Sequence, residues 1–119
     1  WVFWDETYAG IPAWREECGM FRPQMWGYID VRDVGRAIVA ALKAPSVGHE
    51  TLVLSARRNF VGRPTLELVA EFWGPDVVCR RPEVYEALPD ASAFDWSRAQ
   101  RVLGWEPVHD WADEVPPRA

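Results

Sequence analysis

The chain has 119 residues, 49% hydrophobic and 26% charged, with 13 Lys and Arg against 18 Asp and Glu for a net charge of -5. One small acidic domain follows, and the acidic balance excludes a sequence-independent nucleic-acid binder, which needs a basic face to displace phosphate counterions. The longest clean apolar run, Ala37 to Leu42, is far too short for a spanning helix, and no secretory apolar region opens the chain, so no membrane role and a cytoplasmic location are expected.

Trp1 to Trp4 is a run of bulky β-formers that predicts a buried strand; a helical stripe at 1, 4, 8 and 11 competes, but Gly10 and Pro12 weaken it. Pro12 suits the first turn of a short helix over 12–18 that Gly19 ends, with a turn or extended stretch around Pro23. Trp26 to Val31 alternates as a strand. Asp30 then caps a helix from about Val31 to Ala44, with Val34, Ala37, Ile38, Ala41 and Leu42 as its inward stripe and Pro45 as its stop. A turn over 47–49 leads to Thr51–Ser55, an apolar run expected to be a buried strand. After a loop over 57–63, Thr65 is expected to cap a helix whose inward side is Leu66, Val69, Phe72 and Trp73, ended by Gly74 and Pro75. Val77–Arg80 reads as a third short strand, Pro82 to Ser92 as a loop, and Asp95–Leu103 as a last helix with Trp96, Ala99, Val102 and Leu103 inward. Residues 112–119 read as a loose Pro-rich tail. Short strands alternating with helices make an α/β pattern. Trp at residue 1 and three short aromatic strands with little to cover them suggest a fragment of something larger.

Residue counts remove several chemistries. Twelve Arg stand against one Lys, Lys43, and no two Gly lie closer than Gly19 and Gly27. A dinucleotide fingerprint needs two Gly at i and i+2, a P-loop needs Gly directly before Lys, and a Tyr-x-x-x-Lys pair fails because residue 39 is Val. Cys18, Cys79, His49 and His109 have neither zinc-ligand nor disulfide-framework spacing, so no metal is expected. Eight scattered Trp form no stacking platform and read as core or interface.

Three ordered blocks remain. They are Trp26-Gly-Tyr-Ile-Asp-Val-Arg-Asp33-Val-Gly-Arg-Ala-Ile38 with Gly48-His-Glu, then Pro64-Thr65-Leu-Glu67-Leu-Val, then Phe94-Asp95-Trp-Ser-Arg98-Ala99 through Leu103-Gly104-Trp105-Glu-Pro107. Together they resemble the C-terminal half of the NAD-dependent epimerase/dehydratase family, the extended short-chain dehydrogenases. The resemblance covers essentially Trp1 to Trp111. It implies an incomplete Rossmann-type α/β fold, a single substrate-binding domain over 1–111, and in residues 1–25 a remnant of the junction to a dinucleotide-binding half. In the family that half holds NAD or NADP and carries the catalytic Tyr and Lys, so the resemblance implies no catalytic and no cofactor-binding residue in this chain. The resemblance further implies action on a sugar or another small hydroxyl or carbonyl compound, and only with such a half supplied upstream or in trans. A non-catalytic binding or interaction module derived from the family is the alternative.

The same resemblance singles out side chains. Arg80 and Arg81 fall about where nucleotide-sugar epimerases place an Arg on substrate diphosphate, although Pro82-Glu83 follows here in place of the usual Gly-Asp; a solvated basic edge is the other reading. Tyr8, Trp14 and Trp26 flank the stretch that faces the family's cleft, where stacking on a substrate competes with plain core packing. Asp30, Arg32 and Asp33 are expected to be structural, Asp30 as a helix cap and Arg32 reaching Asp5 or Glu6. Thr65 and Asp95 are expected to be caps, and Arg57, Arg58 and Arg63 to serve the solubility of their loop.

Overall fold

The computed structural model describes residues 1–45 and 48–115. Two strands, β1 (Val2–Phe3) and β2 (Ile29–Asp30), form a parallel pair with Val2 opposite Ile29. Between them run α1 (Asp5–Tyr8), α2 (Ile11–Glu16) and a 3-10 helix (Cys18–Gln24), which occupy the predicted loop, helix and turn. Then follow α3 (Val31–Lys43), α4 (Thr65–Trp73), α5 (Pro82–Ala87), α6 (Ser97–Leu103) and α7 (Trp111–Glu114). The chain is thus α/β, with helices dominating and the sheet reduced to one short pair.

Two expected strands did not form. Thr51–Ser55 and Val77–Arg80 are extended without a ladder among the described residues. Thr51–Ser55 ends where the Ala56 N–H and the Ser55 hydroxyl both reach the Tyr28 carbonyl, and no further strand lies alongside to continue the pairing. Val77–Arg80 has even less to hold it, with Val78 83% exposed. Conversely, the expected loop after Pro82 contains α5: proline at N1 and Glu83 in the first turn are an N-terminal helix signature. The expected tail contains α7, capped by the Asp110 carboxylate on the Ala112 N–H; residues 116–119 and the first residue of the turn over 47–49 lie outside the described residues.

The main core is aromatic. Phe3 stacks on Tyr28 with ring centroids 4.6 Å apart, and Phe21, Trp26, Phe60 and Leu68 close around them, so residues 1–28 share one interior with residues 56–69. A smaller cluster of Ile29, Ala37, Ala99 and Trp105 sits under α3, with Val34, Leu52 and Leu54 against it.

The predicted inward stripe of α3 is wrong in three of its five members. Val34 and Ala37 face the small core, but Ala41 lies outside with Ile38, 56% exposed, and Leu42, 82% exposed. Hydrogen bonding sets the rotation of the helix. Asp33 is fully buried, its carbonyl accepts from the Trp105 indole at 3.0 Å, and its carboxylate takes the backbone N–H groups of Val108 and His109. Turning Ile38 inward would pull that carboxylate off its donors. In α4, Leu68 is buried and Leu66 is 40% exposed, the reverse of the periodicity reading.

Candidate functional site

A cleft of about 720 Å³ opens between α4, the irregular segment 74–81, α5, the segment 91–96 and the first turn of α6. Its rear wall is pinned by polar contacts that the sequence does not announce. The Thr65 hydroxyl donates to the Ala91 carbonyl and accepts from the Asn59 side-chain amide, while Ser92 and Ser55 share a hydrogen bond of 2.8 Å. The Ser92 N–H bonds to the Arg57 carbonyl and the Asn59 N–H to the Asp90 carbonyl. Thr65 is therefore not the cap of α4. Pro64 holds that position, and Thr65, as the first helical residue, ties two loops together.

The outer wall depends on a turn and a close approach. Gly74 ends α4 at φ 92°, a conformation that side-chain-bearing residues rarely adopt, and sends the chain across the cleft mouth. Across from it, the Phe94 ring lies 2.5 Å from where a Cβ on Gly27 would sit.

Charged groups gather at the rim. Arg81 bridges Asp95 at 2.8 Å and Glu83 at 3.3 Å, and both carboxylates hold its guanidinium above its ordinary pKa. Asp95 is held below the ordinary carboxylate range by the Ser97 N–H first, with help from Arg81. Asp95 is not the cap of α6: the helix starts at Ser97, two residues later than predicted, with Trp96 in the cap position, and the Asp95 carboxylate accepts the Ser97 N–H at 2.9 Å from one residue further out. Burial, with the Cys79 side chain nearby, pushes the Tyr85 phenol up, while Arg81 pulls it down. Arg57 is tied to Glu106 at 3.1 Å and to the Pro107 carbonyl. Arg80, in contrast, lines the cleft with no hydrogen bond or ion pair among the described residues.

The sequence-predicted residues separate into two places. Arg80, Arg81, Thr65 and Asp95 line the cleft. Tyr8 and Trp26 do not. Trp26 is fully buried with its indole N–H on the Cys18 carbonyl, and Tyr8 is buried with its hydroxyl 2.6 Å from Asp30. Stacking on a ligand is closed to both. Tyr85, Phe94 and Trp96 supply the aromatic surface in the cleft. Placing Tyr85 there required recognising α5 from Pro82-Glu83; Val84 and Leu88 then share its cleft side.

Asp30 and Asp33, both buried, form a separate assembly with the half-exposed Arg32. Asp30 caps α3 by accepting the Arg32 N–H at 2.7 Å, and the Arg32 side chain returns to the same carboxylate. Arg32 does not reach Asp5 or Glu6; its other partner is Glu114 at 2.6 Å, which ties α3 to α7. Burial is the strongest single influence on Asp30 and raises its pKa, but the bonds from Arg32 and Tyr8 together outweigh it and leave the carboxyl lowered to about 2. The Tyr8 phenol moves the other way, raised by burial and by donating to Asp30.

Neither long helix start fits a dinucleotide. A pyrophosphate needs free N–H groups at a helix start beside a glycine turn. At α3 that place is filled by the Asp30 carboxylate; at α4 the Thr65 N–H is already on the Pro89 carbonyl. Chemically the cleft is equipped to bind. It presents an apolar wall and a guanidinium, while its acid, Asp95, is ionised and engaged and its phenol, Tyr85, stays protonated. Among the described residues no helix is long and apolar enough to cross a membrane, and no group of three or more His, Cys, Asp or Glu is placed to hold a metal ion.

The chain matches no protein-family model, and neither a curated protein nor a solved structure matches it significantly.

Proposed function

We infer that this chain is the substrate-binding part of an NAD(P)-dependent oxidoreductase or epimerase similar to the epimerase/dehydratase family, acting on a small hydroxyl or carbonyl compound and not catalytic by itself. The observation that carries this reading is the cleft. It collects Arg80 and Arg81, which precede the third of the ordered sequence blocks, and Asp95, which lies in it, while neither long helix start among the described residues suits a pyrophosphate. A dinucleotide-binding partner half would bring the cofactor and the proton-transferring Tyr and Lys; this chain's part is to hold the substrate.

The fold supports the same reading at the level of an incomplete Rossmann-type arrangement. Parallel strands joined by a helical crossover are the unit of doubly wound sheets, and such sheets are normally covered by helices on both faces. Here β1 and β2 have no further strand among the described residues, and the outer side of α3 carries Val31, Ile38, Val39 and Leu42 in the open. Calorimetry of the 119-residue chain with NAD or NADP up to millimolar concentration tests the proposal. No saturable heat is expected, and clear binding would overturn the assignment of cofactor binding to a separate half.

A further inference from the structure

We propose that the ligand of this cleft is an apolar acid, one carboxylate on a hydrocarbon or aromatic body, held by Arg80 against the wall formed by Val77, Val78, Tyr85, Phe94 and Trp96. The proposal rests on reading the chain as a substrate-binding part and narrows it, since the hydroxyl or carbonyl that reacts would be carried by the same acid.

Size and surface come first. A cleft of about 720 Å³ lies within the range of small-molecule sites. Its wall exposes much apolar surface for a protein of this size, with Val77 50%, Val78 83% and Phe94 41% exposed. Covering such surface is favourable in proportion to the area removed from water, whereas a polyol would leave it wet.

Polar groups in the cleft argue against a sugar. Four hydroxyls line it, and three are already committed: Thr65 to Ala91 and Asn59, Ser92 to Ser55 and the Phe94 N–H, and Ser97 to Arg101, which leaves the Tyr85 phenol. A sugar ring binds through directed bonds from its several hydroxyls, and few free partners remain for them here.

Charge decides between one anionic group and two phosphates. Arg57, Arg80 and Arg81 face Glu83, Asp95 and Glu106, so the rim is balanced. Arg57 and Arg81 are spoken for by those carboxylates, and of the arginines in the cleft Arg80 alone, among the described residues, offers an open fork of donors. One guanidinium matches one carboxylate in a bidentate pair. A diphosphate would bring at least two negative charges to a single free cation and set them beside Asp95 and Glu83.

The test titrates the ¹⁵N-labelled 119-residue chain with 3-phenylpropionate, with its neutral amide, and with uridine diphosphate, following the amides of residues 77–81 and the Trp96 indole. The acid is expected to shift these resonances with an affinity roughly tenfold above that of the amide, the value of one charge-assisted hydrogen-bond pair at a partly open site, and above that of uridine diphosphate. Arg80→Gln should abolish the preference for acid over amide, and Arg81→Gln should keep it. Equal affinity of acid and amide, tighter binding of the diphosphate, or a preference that survives Arg80→Gln would each overturn the apolar-acid assignment and leave the substrate-half reading standing. If no probe moves any cleft resonance, both fall.

Discussion

Asp30 and Asp33 with their arginines, and Arg80, Arg81 and Asp95 in the cleft, are built from the same residue types yet belong to different parts of the protein's physics. At α3 each carboxylate is buried and surrounded by donors: Asp33 takes Arg36, the N–H groups of Val108 and His109, and the His109 ring, and Asp30 takes Tyr8 and three bonds from Arg32. Such an arrangement has no capacity left for a ligand, and losing one member strands charge in the interior. In the cleft the pairs are open to water, worth little to stability, and one cation is left over. Charge in a folded chain thus means structure where every lone pair is used and recognition where some are not.

The sharpest way to break that contrast is Asp33→Ala. It should cost about 3 kcal/mol in urea unfolding, because three backbone or ring donors of the C-terminal segment and a helix guanidinium lose their acceptor together. A loss below about 1 kcal/mol would mean the α3 cluster is dispensable. Next comes acid. The Asp30 carboxyl is lowered from 3.8 to about 2, so its contribution is complete above about pH 4 and is lost as pH falls through 2. Stability measured at pH 5 and pH 2 should differ by about 2 kcal/mol more in the unaltered protein than in Asp30→Asn.

Tyr28→Phe is a smaller probe of the same side. It removes the hydroxyl that accepts the Trp111 N–H at 2.7 Å and should cost about 1 kcal/mol, with the amide of Trp111 exchanging faster with solvent. The smallest effect belongs to the cleft: Arg81→Ala should leave the melting temperature where it was, because both of its ion pairs are exposed. A clear drop in Tm on that substitution would erase the distinction between the two clusters.

Some of this was legible in the residues alone. Asp30 before Val31 announced a capped helix, and Gly104 at φ 63° closes α6 where expected. The assignments that failed share one cause, dependence on a distant partner. Thr51–Ser55 has the composition of a strand but no neighbour to pair with, and α3 has an apolar stripe that a buried Asp33 turns away from the core. Tyr8 and Trp26 look like stacking residues in a list of aromatics. Only the packing around Phe3 and Phe21 commits them to the interior.

Sequence by itself determined that the chain is α/β, acidic, without two glycines at i and i+2, and helical wherever a cap, a stripe and a stop agree locally. Those properties depend on neighbours within one or two turns, which composition and spacing record directly. Tertiary structure decided which way each helix faces, which cleft arginines are tied to carboxylates, and that Tyr85, Phe94 and Trp96 meet across one cleft. These follow from competition between hydrogen-bond satisfaction and apolar burial among residues far apart in the chain, and that competition is settled only when the chain is folded.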